Sequence, residues 1–257
     1  MKRTSPRRLS SWSSALQPRW KGATALVLLL AAGAVRADVP DQFTNLKVLP
    51  KDIGKRELMD IMKNFSNALG VRCTHCHVEK TPGDHNTIDW ASDALEPKKV
   101  TRGMMAMVGS INKELLRAAG ERSADVRCMT CHRGLPDPAT LDRVLLGVAK
   151  KDGTPAAVAK YKGLRKEYYG TGSYDFSPES LGQVAEALAK EGNVDAAMAM
   201  VDLNIEMNPQ DAASHLKKAG IQQMKGDRAG ALASVNKALE LDPANEQAKW
   251  MAGQLKQ

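Results

Sequence analysis

Apolar positions recur with helical spacing along nearly all of this chain beyond residue 50. Over Lys55 to Leu69, residues Leu58, Met62, Phe65 and Leu69 form one stripe, Met59 adjoins it, and Gly70 supplies the stop. A second helix is expected over Lys98 to Ala118, with Val100, Met104, Met107, Val108, Ile111 and Leu115 on one face and Gly120 closing it. Each stripe leads into the same tripeptide, Val71-Arg72-Cys73 in the first case and Val126-Arg127-Cys128 in the second. A methionine-bearing helix, a loop and Val-Arg-Cys therefore occur twice, as an internal duplication.

Leu135-Pro136-Asp137-Pro138 breaks the pattern, and helices are expected over 139–149 and 154–168. Gly170-Thr171-Gly172 interrupts again. Ser177-Pro178 then reads as a helix start, with Ser177 as N-cap and Pro178 at the first helical position. From there a 34-residue period sets in: Ala185 and Ala219, Gly192 and Gly226, Ala197 and Ala231, Pro209 and Pro243. Small residues at helix contacts and a proline after each helix pair are the tetratricopeptide pattern, and residues 244–257 are expected to cap it. Two repeats with a cap are few for an independent array, so packing against the preceding helices is expected. The aromatic group Tyr161, Tyr168, Tyr169, Tyr174 and Phe176 is expected to form the core of that junction. The fold class is therefore mainly α.

Charge changes the picture once the first 37 residues are set aside. That stretch holds seven basic residues and no acidic one, a 13-residue apolar run from Ala23 to Val35, and the small residues of Val35-Arg36-Ala37. It reads as a secretory signal peptide cut after Ala37; the apolar run falls short of the roughly 20 residues of a membrane span. The chain has 37 basic and 29 acidic residues, so the part beyond the leader carries 30 against 29. Near-neutrality removes the case for a nucleic-acid partner, and membrane association is not required.

The four cysteines fall in Cys73-Thr74-His75-Cys76-His77 and Cys128-Met129-Thr130-Cys131-His132. Both are C-x-x-C-H, the pattern of covalent c-type haem attachment. Thiols one short turn apart reach the two vinyl groups of a porphyrin, and the histidine that follows lies where its imidazole can bind the iron. The motifs therefore imply two c-type haems, on Cys73, Cys76 and His77 and on Cys128, Cys131 and His132. A four-cysteine zinc site leaves both histidines unexplained. A thioredoxin-like pair needs a βαβ setting that neither motif has.

Electron carriers close the second axial position of the iron, whereas enzymes and gas binders leave one open. Methionines on the preceding helices are the natural candidates, although helical methionines also serve as core filler. Spacing alone leaves both readings open.

The stretch from Asn45 to Ile53, Glu57 to Met62, Phe65 and Leu69-Gly70-Val71-Arg72-Cys73 resembles the cytochrome c subunit of photosynthetic reaction centres and its smaller relatives. Trp90-Ala91-Ser92-Asp93, Lys98 to Met104, Ile111-Asn112 and Cys128 to Gly134 continue the likeness, which covers roughly residues 40 to 135. The resemblance implies a methionine of the preceding helix as distal ligand: Met62 for the first haem and Met104 for the second, with Met59 and Met107 behind them. One haem of that subunit takes its distal ligand from a histidine elsewhere, which keeps His85 as an alternative for the second. The family carries four haem motifs and this chain two.

The expected organisation is a leader (1–37), a dihaem cytochrome domain (38–138), a helical connector (139–177) and repeats with a cap (178–257). The expected role is outer-sphere electron transfer in the periplasm between redox protein partners, with a peptide or protein docking at the repeats. The alternative is a dihaem, peroxidase-like enzyme with one open distal site. Arg72 and Arg127 are candidates to pair with haem propionates.

Overall fold

A computed structural model describes residues 39–115, 118, 120 and 125–257; the expected leader lies outside the described residues. The fold is mainly α. Helix α1 (Lys55–Leu69) matches its stripe. It ends where Gly70 turns left-handed at φ 65°, and the Val71 amide donates back to the Ser66 carbonyl at 3.0 Å. The first cysteine motif follows as a single 3₁₀ turn, Cys73–His75, and runs into a two-stranded antiparallel ribbon, β1 (Val78–Glu79) and β2 (Ile88–Asp89), that pairs Val78 with Asp89.

Helix α2 (Glu96–Ser110) starts two residues earlier than its apolar pattern and widens into a π turn over Ile111–Leu115. Pro97 in its first turn explains the early start, since a proline there forfeits no intrahelical bond. The second motif is itself the short helix α3 (Cys128–His132), with the Thr130 hydroxyl accepting the Arg127 amide at 3.0 Å. Helix α3 packs on α1.

The remaining helices form antiparallel pairs: α4 (Leu141–Asp152) with α5 (Thr154–Tyr168), α6 (Pro178–Lys190) with α7 (Val194–Met207), and α8 (Ala212–Met224) with α9 (Arg228–Leu241), closed by α10 (Glu246–Lys256). Helix α4 packs on α6 and α5 on α7, so the connector stacks on the repeats as a further pair. One apolar cluster joins Leu141, Leu145 and Tyr161 to Leu181, Val184 and Met200, and a second joins Leu216 and Val235 to Ala248 and Leu255.

The 34-residue period is visible in the geometry. Ala185, Ala197, Ala219 and Ala231 are all fully buried at helix contacts. Gly192 and Gly226 hold φ values of 81° and 76°, with the next residue's amide returning to the Leu188 and Gln222 carbonyls at 2.9 Å each. The caps repeat too: Asn193 and Asp227 accept the Ala196 and Gly230 amides, and Asp211 and Asn245 accept those of Ser214 and Ala248. At Ser177 the position is as expected but the hydroxyl donates to Asp175, so it does not cap α6. In the aromatic group, Tyr161 and Phe176 are buried edge to face at 5.8 Å, whereas Tyr169 is exposed beneath the Arg165 guanidinium.

Candidate functional site

The C-cap of α1 delivers the chain directly into the first motif. Its tight turn is closed by the Cys76 and His77 amides, which both donate to the Cys73 carbonyl at 3.1 and 3.0 Å. A cavity of about 1250 Å³, counted with its open mouth, lies against this turn. Met59, Met62, Phe65 and Leu69 of α1 line one part of it, and Cys73, Cys76, His77 and Trp90 line another. Thr101, Arg102 and Met105 of α2 also face it, with the segment from Val39 to Leu49 running along it. The four first-haem residues expected from sequence, Met62, Cys73, Cys76 and His77, are thus gathered around one space.

That space has the chemistry of a porphyrin crevice. Its lining is chiefly apolar, yet it includes four cations, Lys47, Arg72, Lys98 and Arg102, and no carboxylate. Apolar walls suit the macrocycle, and the cations suit the anionic propionates at its edge. The His77 ring stands edge-on to Trp90 at 5.1 Å, and its buried Nδ1 has no hydrogen-bond partner. Burial, reinforced by the charge of Lys98, pushes this imidazole below its ordinary pKa. A neutral imidazole is the form that binds a metal. Burial also raises the Cys76 thiol. The residues present fit a covalently held haem.

The second set is arranged differently. His132 Nδ1 lies 2.8 Å from the Leu135 carbonyl, an acceptor that it can meet only as an N–H donor. That bond fixes the tautomer and leaves Nε2 as the free lone pair, the usual outer-shell arrangement of a ligating histidine. Asn112 ties the end of α2 to the chain before the motif: its side chain donates to the Val126 carbonyl and accepts the Val126 amide, each at 2.8 Å.

Helix α2 turns one face to the first cavity and another away from it. Lys98, Thr101, Arg102 and Met105, at successive helical turns, line the first cavity. Val100, Met104 and Met107 point elsewhere and are 49%, 40% and 48% exposed. Core filler would be covered by other side chains; these three are only about half covered. Met104, Cys128, Cys131 and His132 are not among the residues that line the first cavity. His85, the alternative ligand, is engaged with Glu79 at 2.5 Å on the ribbon. The four cysteines do not converge, and among the described residues no three His, Cys, Asp or Glu side chains meet at a point, which argues against the four-cysteine zinc reading. Among the described residues no helix is long and apolar enough to cross a membrane.

Sequence reasoning missed a cluster at the cavity rim. Asp93 receives Arg102 at 2.9 Å and Lys47 at 2.6 Å, and Lys98 donates to the Trp90 and Ser92 carbonyls at 2.8 and 2.7 Å. Asp93, Lys98 and Arg102 all lie within the stretches that carry the family likeness, but nothing in their spacing announces that they meet.

Residues 81–160 match the family model of the photosynthetic reaction centre cytochrome C subunit, a segment that holds α2, Met104 and the second motif. The photosynthetic reaction center cytochrome c subunit of Thermochromatium tepidum is 32% identical over 112 residues, covering 43% of this chain. The chain spans only 25% of that relative's length. Among solved structures, the first tetratricopeptide domain of Spaghetti bound to an HSP90 peptide aligns at a TM-score of 0.32 and 17% identity, over 45% of this chain and 87% of that one.

Proposed function

From a chain related over its haem-motif region to the reaction-centre cytochrome c subunits, we infer an exported dihaem c-type cytochrome that passes electrons between redox protein partners. The observation that carries this reading is the single crevice into which Met62, Cys73, Cys76 and His77 converge beside four cations. A bound haem supplies reversible one-electron chemistry at the iron; the polypeptide supplies attachment, axial ligands, burial and charge.

In this reading Cys73 and Cys76 hold the first haem as thioethers, and Cys128 and Cys131 the second. His77 and His132 are the proximal ligands, and Met62 and Met104 the distal ones. The Leu135 carbonyl orients His132 through its Nδ1–H, which keeps the ligating nitrogen fixed. Lys98 and Arg102, drawn to the cavity mouth by Asp93, neutralise propionate charge, with Arg72 beside them. Methionine ligation at both metals would leave neither an open position, which is what separates a carrier from the peroxidase-like alternative. The helix pairs beyond residue 140 supply a surface for docking a protein or peptide partner, and the leader directs the chain to the periplasm.

A pyridine haemochrome assay on mature protein tests this directly. Two covalent haems per chain are expected, falling to one when Cys73 and Cys76 are both changed to Ala, with low-spin spectra for each. Colourless protein, or zinc in place of iron, overturns the reading. A resting high-spin ferric haem favours the enzyme instead.

A further inference from the structure

The segment 39–49 has no helix or strand of its own, yet it runs along the first crevice and contributes Val39, Phe43 and Leu46 to the lining. Without an internal ladder, such a segment is held from outside. Two of its side chains, Asn45 and Lys47, anchor on one carboxylate. Asn45 Nδ2 donates to Asp93 Oδ1 at 2.9 Å and to the Ala91 carbonyl at 2.5 Å, and Lys47 Nζ donates to Asp93 Oδ2 at 2.6 Å.

From the opposite side α2 reaches the same group. Arg102 Nη2 lies 2.9 Å from Asp93 Oδ1 and also donates to the Asn45 carbonyl at 3.3 Å, while Lys98 Nζ stands 3.7 Å away. Asp93 thus joins the segment, the loop after β2 and α2 at one point. The side chains of Asp93, Arg102 and Lys98 are only 25%, 17% and 13% exposed, so the α2 side of this cluster is better shielded from water than ordinary surface pairs, while Lys47 on the strap side is 57% exposed. The segment's other ion pair, Lys55 with Asp41, has an acid that is 88% exposed. Arg102 and Lys47 hold the Asp93 carboxyl well below the usual carboxylate range, so it stays ionised at neutral pH.

We propose that Asp93 is the positioning residue of the first haem crevice, pinning the strap 39–49 across it and so protecting the Met62 side from ligands arriving from solvent. The proposal rests on the haem reading given above. Asp93 touches neither the metal nor its ligands in this account; it acts through Asn45, Lys47 and Arg102.

Two readouts on the full mature protein test it. One is thermolysin cleavage within 39–49, which needs no haem; the other is the rate at which added imidazole enters the first haem. Asp93→Asn should speed both by about tenfold or more, the loss of one charge-assisted hydrogen bond, with no change at the second haem. The double variant Asn45→Ala, Lys47→Ala removes only the strap's side of the clamp and should reproduce both effects. It also decides the question alone if Asp93→Asn fails to fold. Unchanged cleavage or unchanged imidazole entry in the double variant overturns the proposal. So does a loosening seen with Asp93→Asn alone. If the wild-type protein binds no haem, the haem reading fails, while the cleavage comparison still tells whether Asp93 holds the strap.

Discussion

The amide of Gly134 donates to the carbonyl of Ala68 at 2.8 Å, which joins the residue two places beyond the second haem motif to the last turn of α1, the helix that serves the first. The two C-x-x-C-H units are therefore not beads on a string. The same short stretch reaches the other way, since the Ser173 hydroxyl donates to the Arg133 carbonyl at 2.7 Å. Arg133 and Gly134 form a knot between both C-x-x-C-H units and the helix pairs.

Gly70 is the residue this knot tolerates least. Its φ is 65°, and a Cβ built on it would lie 2.1 Å from the Gly134 carbonyl oxygen, a backbone atom that cannot swing aside. Gly134 also has positive φ, but its nearest foreign atom is the Ser173 hydroxyl at 3.5 Å. Gly70→Ala should thus cost more than the ~1–2 kcal/mol of left-handed strain alone, and Gly134→Ala only about that amount. Chemical denaturation of the two variants checks the order; equal losses would show that α1 and α3 can part without cost.

Much of this was legible from periodicity. The bounds of α1 and α5 follow from apolar spacing and from Gly70 and Gly170, because an amphipathic stripe and a stop signal are local facts. The repeats were legible through Ala185, Ala219, Gly192 and Gly226, which recur because each pair solves the same packing problem. The capping set Asn193, Asp227, Asp211 and Asn245 obeys the same period and could have been found by it. What sequence could not show is the meeting of Asp93 with Asn45 and Lys47, since such contacts across 46 to 48 residues leave no periodic trace. Nor could it show that Met104 and Met107 lie on the uncovered face of α2, because a methionine stripe looks the same whether protein or cofactor covers it.

The two apolar clusters predict where the array can be cut. Ile221 is the only buried member of the first cluster that comes from beyond Met207; the second cluster draws wholly on residues from 212 onward. A chain ending near residue 210 should keep α4 to α7 folded and retain its haem. A chain ending at 177 loses Leu181, Val184 and Met200, the partners of Leu145 and Tyr161, and should leave α4 and α5 largely melted. Far-ultraviolet circular dichroism on both truncations, with haem content measured alongside, separates these outcomes.

Within the shared cluster, Leu145 is fully buried between the connector and the first repeat. Leu145→Ala should destabilise the protein by about 2–5 kcal/mol, the ordinary cost of such a cavity. Because the buried cluster that holds this residue includes no residue of either motif, the visible spectrum of the folded protein should not change. A loss under ~1 kcal/mol would mean that the connector and the repeats do not share a core.

Met62 and Met104 separate the two haems experimentally. Met62 is half-buried on the wall of a crevice that already exists in the polypeptide, whereas Met104 stands exposed on the other face of α2. If each is a distal ligand as proposed, replacing it by Ala removes a thioether from the iron, which should lower the potential of the haem concerned and admit exogenous ligands there. The unaltered haem serves as an internal reference in each variant. The stability consequences should differ, because Met62 is the more covered of the two and lines the crevice together with Leu58 and Phe65. Met62→Ala should therefore also lower the unfolding free energy of the haem-free chain, and Met104→Ala should leave it within about 0.5 kcal/mol of the parent value. Spectra and potentials that do not move in one variant remove that methionine as a ligand. If they move only with Met107→Ala, the second distal position belongs one turn further along α2.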